Sequence, residues 1–112
     1  MTQPTDFCII YVTTPDVDMA RRLAQSIVSR RLAACANIIP QMESLYWWEG
    51  KMEIGNECVL IFKTRRSLTS ALTDAVKAEH TYKCPCVVEL PIAGGSSDFL
   101  AWIDAETTPL AG

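Results

Sequence analysis

Two stretches of this chain are apolar without interruption: residues 7–12 (Phe7-Cys8-Ile9-Ile10-Tyr11-Val12) and residues 58–62 (Cys58-Val59-Leu60-Ile61-Phe62). The first is β-rich and lacks the apolar-polar alternation of a strand with one wet face, so it reads as a strand buried on both sides. The second repeats the pattern. Whatever lies between and after these runs must supply the layers that cover them.

After the first run, Thr13-Thr14-Pro15-Asp16 resets the chain. Thr14 reads as a cap, Pro15 suits the first helical position, and Asp16 and Asp18 favour the positive end of a helix dipole. Ala20, Leu23, Ala24, Ile27 and Val28 follow at helical spacing, and Arg30 and Arg31 sit where a last turn favours cations, which predicts a helix over 15–33. From 36 to 48 the period becomes two, with Ile39, Leu45 and Trp47 on one parity and Ile38, Met42, Tyr46 and Trp48 on the other. Neither face is polar, so both need cover. Pro40 has no N–H for a ladder and marks an edge or a bulge. Glu49-Gly50 is a short turn and 51–64 returns as a strand, which makes a long hairpin.

Ser67 is placed to cap a second helix carrying Leu68, Ala71, Leu72, Ala75 and Val76 and ending near His80. Residues 86–90 read as a short strand closed by Pro91, Gly94-Gly95-Ser96-Ser97-Asp98 as a break, and Phe99, Leu100, Trp102 and Ile103 as a terminal helix, with 107–112 expected to fray. The order strand, helix, strand, strand, helix, strand, helix predicts an α+β fold. Its form is a ferredoxin-like βαββαβ domain with an antiparallel sheet, a long hairpin between the second and third strands, and an extra C-terminal helix. Two helices on one face leave the other bare. A bare face bearing Trp and Tyr calls for further subunits.

The 112 residues form a single domain, 1–112 with a core at about 7–105, and the 49% apolar content excludes a disordered chain. With 10 Lys+Arg against 13 Asp+Glu and a pI near 5.0, a nucleic-acid partner is not expected. The run 7–12 is far shorter than the roughly 20 residues of a membrane span, and no basic leader precedes it, so the expectation is a cytoplasmic protein without membrane attachment. The five cysteines, Cys8, Cys35, Cys58, Cys84 and Cys86, are odd in number and lack zinc-site spacings. Cys8, Cys35 and Cys58, among apolar or small neighbours, are expected as core thiols.

Three strings carry a resemblance: Arg31-Leu32-Ala33-Ala34-Cys35-Ala36-Asn37-Ile38-Ile39-Pro40, Ser44-Leu45-Tyr46-Trp47-Trp48-Glu49-Gly50-Lys51, and His80-Thr81-Tyr82-Lys83-Cys84-Pro85. With Thr13-Thr14-Pro15 before them and Phe99-Leu100-Ala101-Trp102-Ile103 after, the chain resembles the CutA divalent-cation-tolerance family over 7–105. The resemblance implies a PII-like homotrimer, a part in tolerance of copper and other divalent cations, and no catalysis. It also implies metal contacts at a cysteine before the T-x-P turn and at paired histidines ending the second helix. This chain has Val12 at the first place and Glu79-His80 at the second, and Cys86 replaces the usual glutamate.

The remaining donors define the candidate metal site. His80 is the only histidine and imidazole is a common divalent-metal ligand, while Glu79, Cys84 and Cys86 add carboxylate and thiol donors nearby. Alternatively, His80 simply closes a helix C-terminus. Copper or another divalent cation is the expected ligand, and no cofactor is required. Tyr46, Trp47 and Trp48 alternate faces, so they read as core or trimer-interface packing rather than one stacking platform. Glu57 and Glu89, carboxylates within apolar strands, need partners, with Lys63 and Arg65 the candidates. Two other roles fit a trimer: a PII-like signalling module holding a small molecule in intersubunit clefts, and an inert scaffold for a protein partner.

Overall fold

A computed structural model describes residues 5–108. Its elements run β1 (Phe7–Thr14), α1 (Val17–Ser29), β2 (Cys35–Trp48), β3 (Lys51–Arg65), α2 (Thr69–Glu79), β4 (Val87–Pro91) and α3 (Ser97–Glu106), with a 3₁₀ turn at Arg66–Leu68. The fold is α+β, and the four strands form one antiparallel sheet in the order β2-β3-β1-β4. The two apolar runs are therefore central neighbours, with Val12 opposite Leu60 and Ile10 opposite Phe62.

Alternation then decides the layers. Cys8, Ile10 and Val12 of β1 and Leu60 and Phe62 of β3 share a face and pack against Met19, Leu23 and Ile27 of α1 and Leu72, Ala75 and Val76 of α2. Phe62 is fully buried there, and truncating it to Ala would cost about 3–5 kcal/mol. The opposite face carries Ile9, Tyr11, Ile61, Val88 and Leu90 in register. It is not wholly bare, which corrects the two-helix expectation: α3 lies across its lower corner, with Lys63 Nζ 5.6 Å from the Phe99 ring centre and Arg65 Nε donating to Thr107 Oγ1 at 2.8 Å.

Helix ends differ from the sequence reading for local reasons. Asp16, not Thr14, caps α1, its carboxylate accepting from the Met19 N–H at 2.8 Å, so Pro15 stands before the helix. The Thr14 hydroxyl instead donates to the Asp16 carbonyl at 2.9 Å. At the other end Arg31 adopts φ 59°, and the N–H groups of Arg31 and Leu32 bond back to Val28 and Ile27. That left-handed closure stops the helix at Ser29, short of both arginines. Ser67 does not cap α2, because the 3₁₀ turn precedes it and Leu68 occupies the cap without a side-chain bond. Ser96 caps α3 by accepting from the Phe99 N–H.

β2 is an edge strand, and its register shifts between Ile39 and Met42, around Pro40. Because Ile39 faces Val59 and Met42 faces Glu57, the extra residue puts Ile39 and Met42 on one side. The simple parity over 36–48 is thus broken at the bulge. Pro91 closes β4 on the other edge, where a missing N–H is tolerated. Of the tail expected to fray, Thr107 is buried, and the Thr108 N–H bonds to the Arg31 carbonyl at 2.8 Å; residues 109–112 lie outside the described residues. No helix among the described residues is long and apolar enough to cross a membrane.

Candidate functional site

The end of the sheet where β1 turns into α1 collects most of the chemistry-bearing side chains. α2 stops at His80, whose backbone N–H still bonds to Val76, and the extended backbone of His80 then sends the chain across toward β4. His80 is buried there with both ring nitrogens engaged. Nδ1 accepts from the Tyr82 N–H at 3.0 Å, so the proton is on Nε2, which donates to the Thr13 carbonyl at 2.8 Å. The Tyr82 ring lies 4.7 Å from the imidazole, centre to centre, and its hydroxyl donates to Glu57 Oε2 at 2.9 Å. Burial and, after it, the Glu57 carboxylate push the Tyr82 hydroxyl well above its ordinary value.

Glu79 points elsewhere, accepting from the Ser26 hydroxyl at 2.9 Å. Val12, at the place where the family resemblance leads one to look for a cysteine, is fully buried in the core. Cys84 is exposed and Cys86 is half-buried. Burial and then the Glu57 carboxylate push the Cys86 thiol up, offset in part by a hydrogen bond with Thr13, while Cys84 adds a further opposing charge. Among the described residues, no three or more of His, Cys, Asp and Glu converge as a metal cage. So the four expected donors divide: Glu79 and His80 are committed to contacts within the chain, and the two thiols are the pair still near each other.

The two carboxylates in strands found partners, though not the expected ones. Glu57 pairs with Tyr82, while Glu89 accepts from the Thr69 hydroxyl at 2.5 Å and lies 3.9 Å from Arg66 Nε. Lys63 turns instead to Asn37, and Arg65 to Thr107 and Asp104. All five thiols are free, with Cys8 and Cys58 buried and Cys35 half-buried. Beside the β2 bulge an open cleft of about 380 Å³ lies between the start of α1 and β3, with Asp16, Gln41, Asn56 and Glu57 supplying polar groups.

Farther out, the hairpin of β2 and β3 projects without cover. Trp47 is 75% exposed, Leu45 59%, Ile54 64% and Met52 58%, while Tyr46 and Trp48 are each 43% exposed. The bulge places Tyr46 and Trp48 with Met42 and Ile39 on the face of Tyr11, and Leu45 and Trp47 on the reverse. None of the three consecutive aromatics belongs to the core of the chain, which removes that half of the sequence expectation. The arm is apolar on both sides.

The family model for the CutA1 divalent ion tolerance protein matches residues 8–106. The chain belongs to that family. It is 52% identical over 99 residues to Protein CutA 1, chloroplastic, of Oryza sativa subsp. japonica, covering 88% of this chain but 56% of that protein. It is 44% identical over 95 residues to the divalent-cation tolerance protein CutA of Archaeoglobus fulgidus, covering 85% and 92% of the two chains. Among solved structures, that of CutA1 from Oryza sativa superposes with a TM-score of 0.90 at 48% identity, covering 94% of this chain and 96% of that one. The chain thus spans little more than half the length of the curated plant CutA proteins it matches.

Proposed function

We propose that this CutA family member works as a homotrimer in divalent-cation tolerance, contacts metal ions including copper, catalyses no reaction and needs no resident cofactor. The observation that carries the reading is the two-sided apolar arm, continuous with the apolar face of Ile9, Tyr11, Ile61, Val88 and Leu90. A patch of that kind in water is an interface, and copies of the same chain satisfy it on both sides of the arm. The names of the relatives support the cation role. Free thiols throughout support a reducing compartment, and a cytoplasmic location is part of the proposal.

Calorimetric titration of the purified protein with copper and with a second divalent ion tests the metal half of this reading. Saturable binding is the expected result, and absence of binding by any ion contradicts it. The cleft at the β2 bulge favours a second reading, in which a small molecule binds beside Asp16 and Glu57 and tolerance is an indirect outcome. A thermal-shift screen with nucleotides and metabolites decides between them, since a flat response removes the second.

A further inference from the structure

We propose that the cleft beside the β2 bulge binds a small organic cation, one that carries primary ammonium groups on a short apolar chain. The proposal rests on the second reading above, in which a small molecule occupies this cleft, and it names the chemical class. The cleft follows from Pro40. With no N–H to give, Pro40 interrupts the ladder, and the register shift between Ile39 and Met42 leaves Pro40 and Gln41 without partners on β3. The buried Cys58 thiol donates to the Pro40 carbonyl at 3.1 Å, which holds the bulge against β3. The resulting space of about 380 Å³ has the size of a small-ligand site, and Pro15, Val17 and Pro40 supply apolar wall.

Charge decides the class. Asp16 and Glu57 line the cleft, and no lysine, arginine or histidine does. Both carboxylates are held in place by neutral donors: Asp16 Oδ1 accepts from the Met19 N–H at 2.8 Å, and Glu57 Oε2 from the Tyr82 hydroxyl at 2.9 Å. Each keeps its second oxygen clear of those bonds. Neither enters an ion pair among the described residues, whereas Glu89 and Glu106 have Arg66 and Arg31. Two negative charges therefore share one concavity with no counter-charge from its lining. A cleft lined by a single sign of charge concentrates the field and draws the opposite charge into it. An anion is repelled. A metal ion finds no cage, since no three of His, Cys, Asp and Glu converge among the described residues. An ammonium needs none: its three N–H donors suit the carboxylate oxygens together with the side-chain carbonyls of Gln41 and Asn56.

The test is calorimetric titration of the full chain with putrescine, and with butanediol and succinate as its neutral and anionic counterparts. Putrescine binds once per chain, with an affinity that falls as salt rises, and the other two do not bind. Glu57→Gln keeps an acceptor for Tyr82, and Asp16→Asn keeps an equally good helix cap, so each removes the charge and preserves the fold. Each loses about tenfold or more in affinity. Glu43→Gln, an exposed carboxylate of the same hairpin outside the cleft, binds as the parent does. Circular dichroism verifies that every variant is folded. Unchanged putrescine affinity in both neutralised cleft variants overturns the proposal, as does an equal loss in Glu43→Gln, which marks diffuse attraction to an acidic surface. If putrescine does not bind but butanediol or succinate does, and Gln41→Ala weakens that binding, the cleft reading stands and only this inference fails. If none of the three binds and the wider thermal-shift screen is flat, the cleft reading fails with it.

Discussion

The Nε2 of His80, at the end of α2, donates to the carbonyl oxygen of Thr13, at the end of β1, across 2.8 Å. These residues are 67 apart in sequence, and the bond ties the second helix to the turn that launches the first. With Nδ1 held by the Tyr82 N–H, the imidazole acts as a two-ended brace. His80→Ala leaves a buried carbonyl and an amide without partners, at a cost of about 1–3 kcal/mol. Urea unfolding should show that loss as a lower midpoint than the parent's.

Tyr82 and Glu57 form the second tie at this end, with hydroxyl and carboxylate 2.9 Å apart. Because burial and Glu57 raise the folded-state value of Tyr82 above its ordinary 10.0, the unfolded chain gives up that proton first as pH climbs. The contribution is complete below a pH of about 10 and is lost progressively above it. Thermal melts of the parent from pH 8 to 11.5 should fall more steeply at the alkaline end than those of Tyr82→Phe. Absorbance titration should show one tyrosine failing to ionise with the others until the protein unfolds.

The hairpin turn offers a stabilising change. Glu49 and Gly50 have φ 50° and 80°, the two positive values of a type I′ turn, and glutamate is a poor occupant of the first. Glu49→Asn supplies the preferred Asn-Gly pair and should add about 0.5 kcal/mol. The melting midpoint rises while the far-ultraviolet spectrum is unchanged.

Arg31 carries the same kind of strain at the end of α1, with φ 59° in a left-handed helix closure. Arg31→Gly removes a cost of roughly 1–2 kcal/mol and gives up the exposed pair with Glu106 at 3.0 Å, worth at most ~1 kcal/mol. A net gain is expected in unfolding experiments, and it should be larger at high salt, where the lost pair counts for less.

Element order and the core were readable because continuous apolar runs and helical spacing report burial directly. Residues 7–12 and 58–62 became the central strands, and Leu23, Ile27, Leu72 and Val76 became the core-facing helix positions. Pro40 announced an irregularity, and the bulge followed, but the lack of an N–H does not say how many residues the partner strand skips. That number decides which aromatics share a face with Tyr11. The site was less legible. His80, Cys84 and Cys86 stood out by chemical type, yet whether a ring nitrogen is free depends on a carbonyl 67 residues away and an amide two residues on. Only Tyr82, two positions beyond His80, offered a local clue to the second of these.

The proposed trimer would cover the exposed arm of Leu45, Trp47, Met52 and Ile54 and the face around Tyr11. Sedimentation equilibrium at micromolar concentration tests this most directly. The account predicts a single species of three times the 12.4 kDa chain mass, which shifts to lighter species in Trp47→Asp. A parent protein that sediments as one 12.4 kDa chain across that range contradicts it.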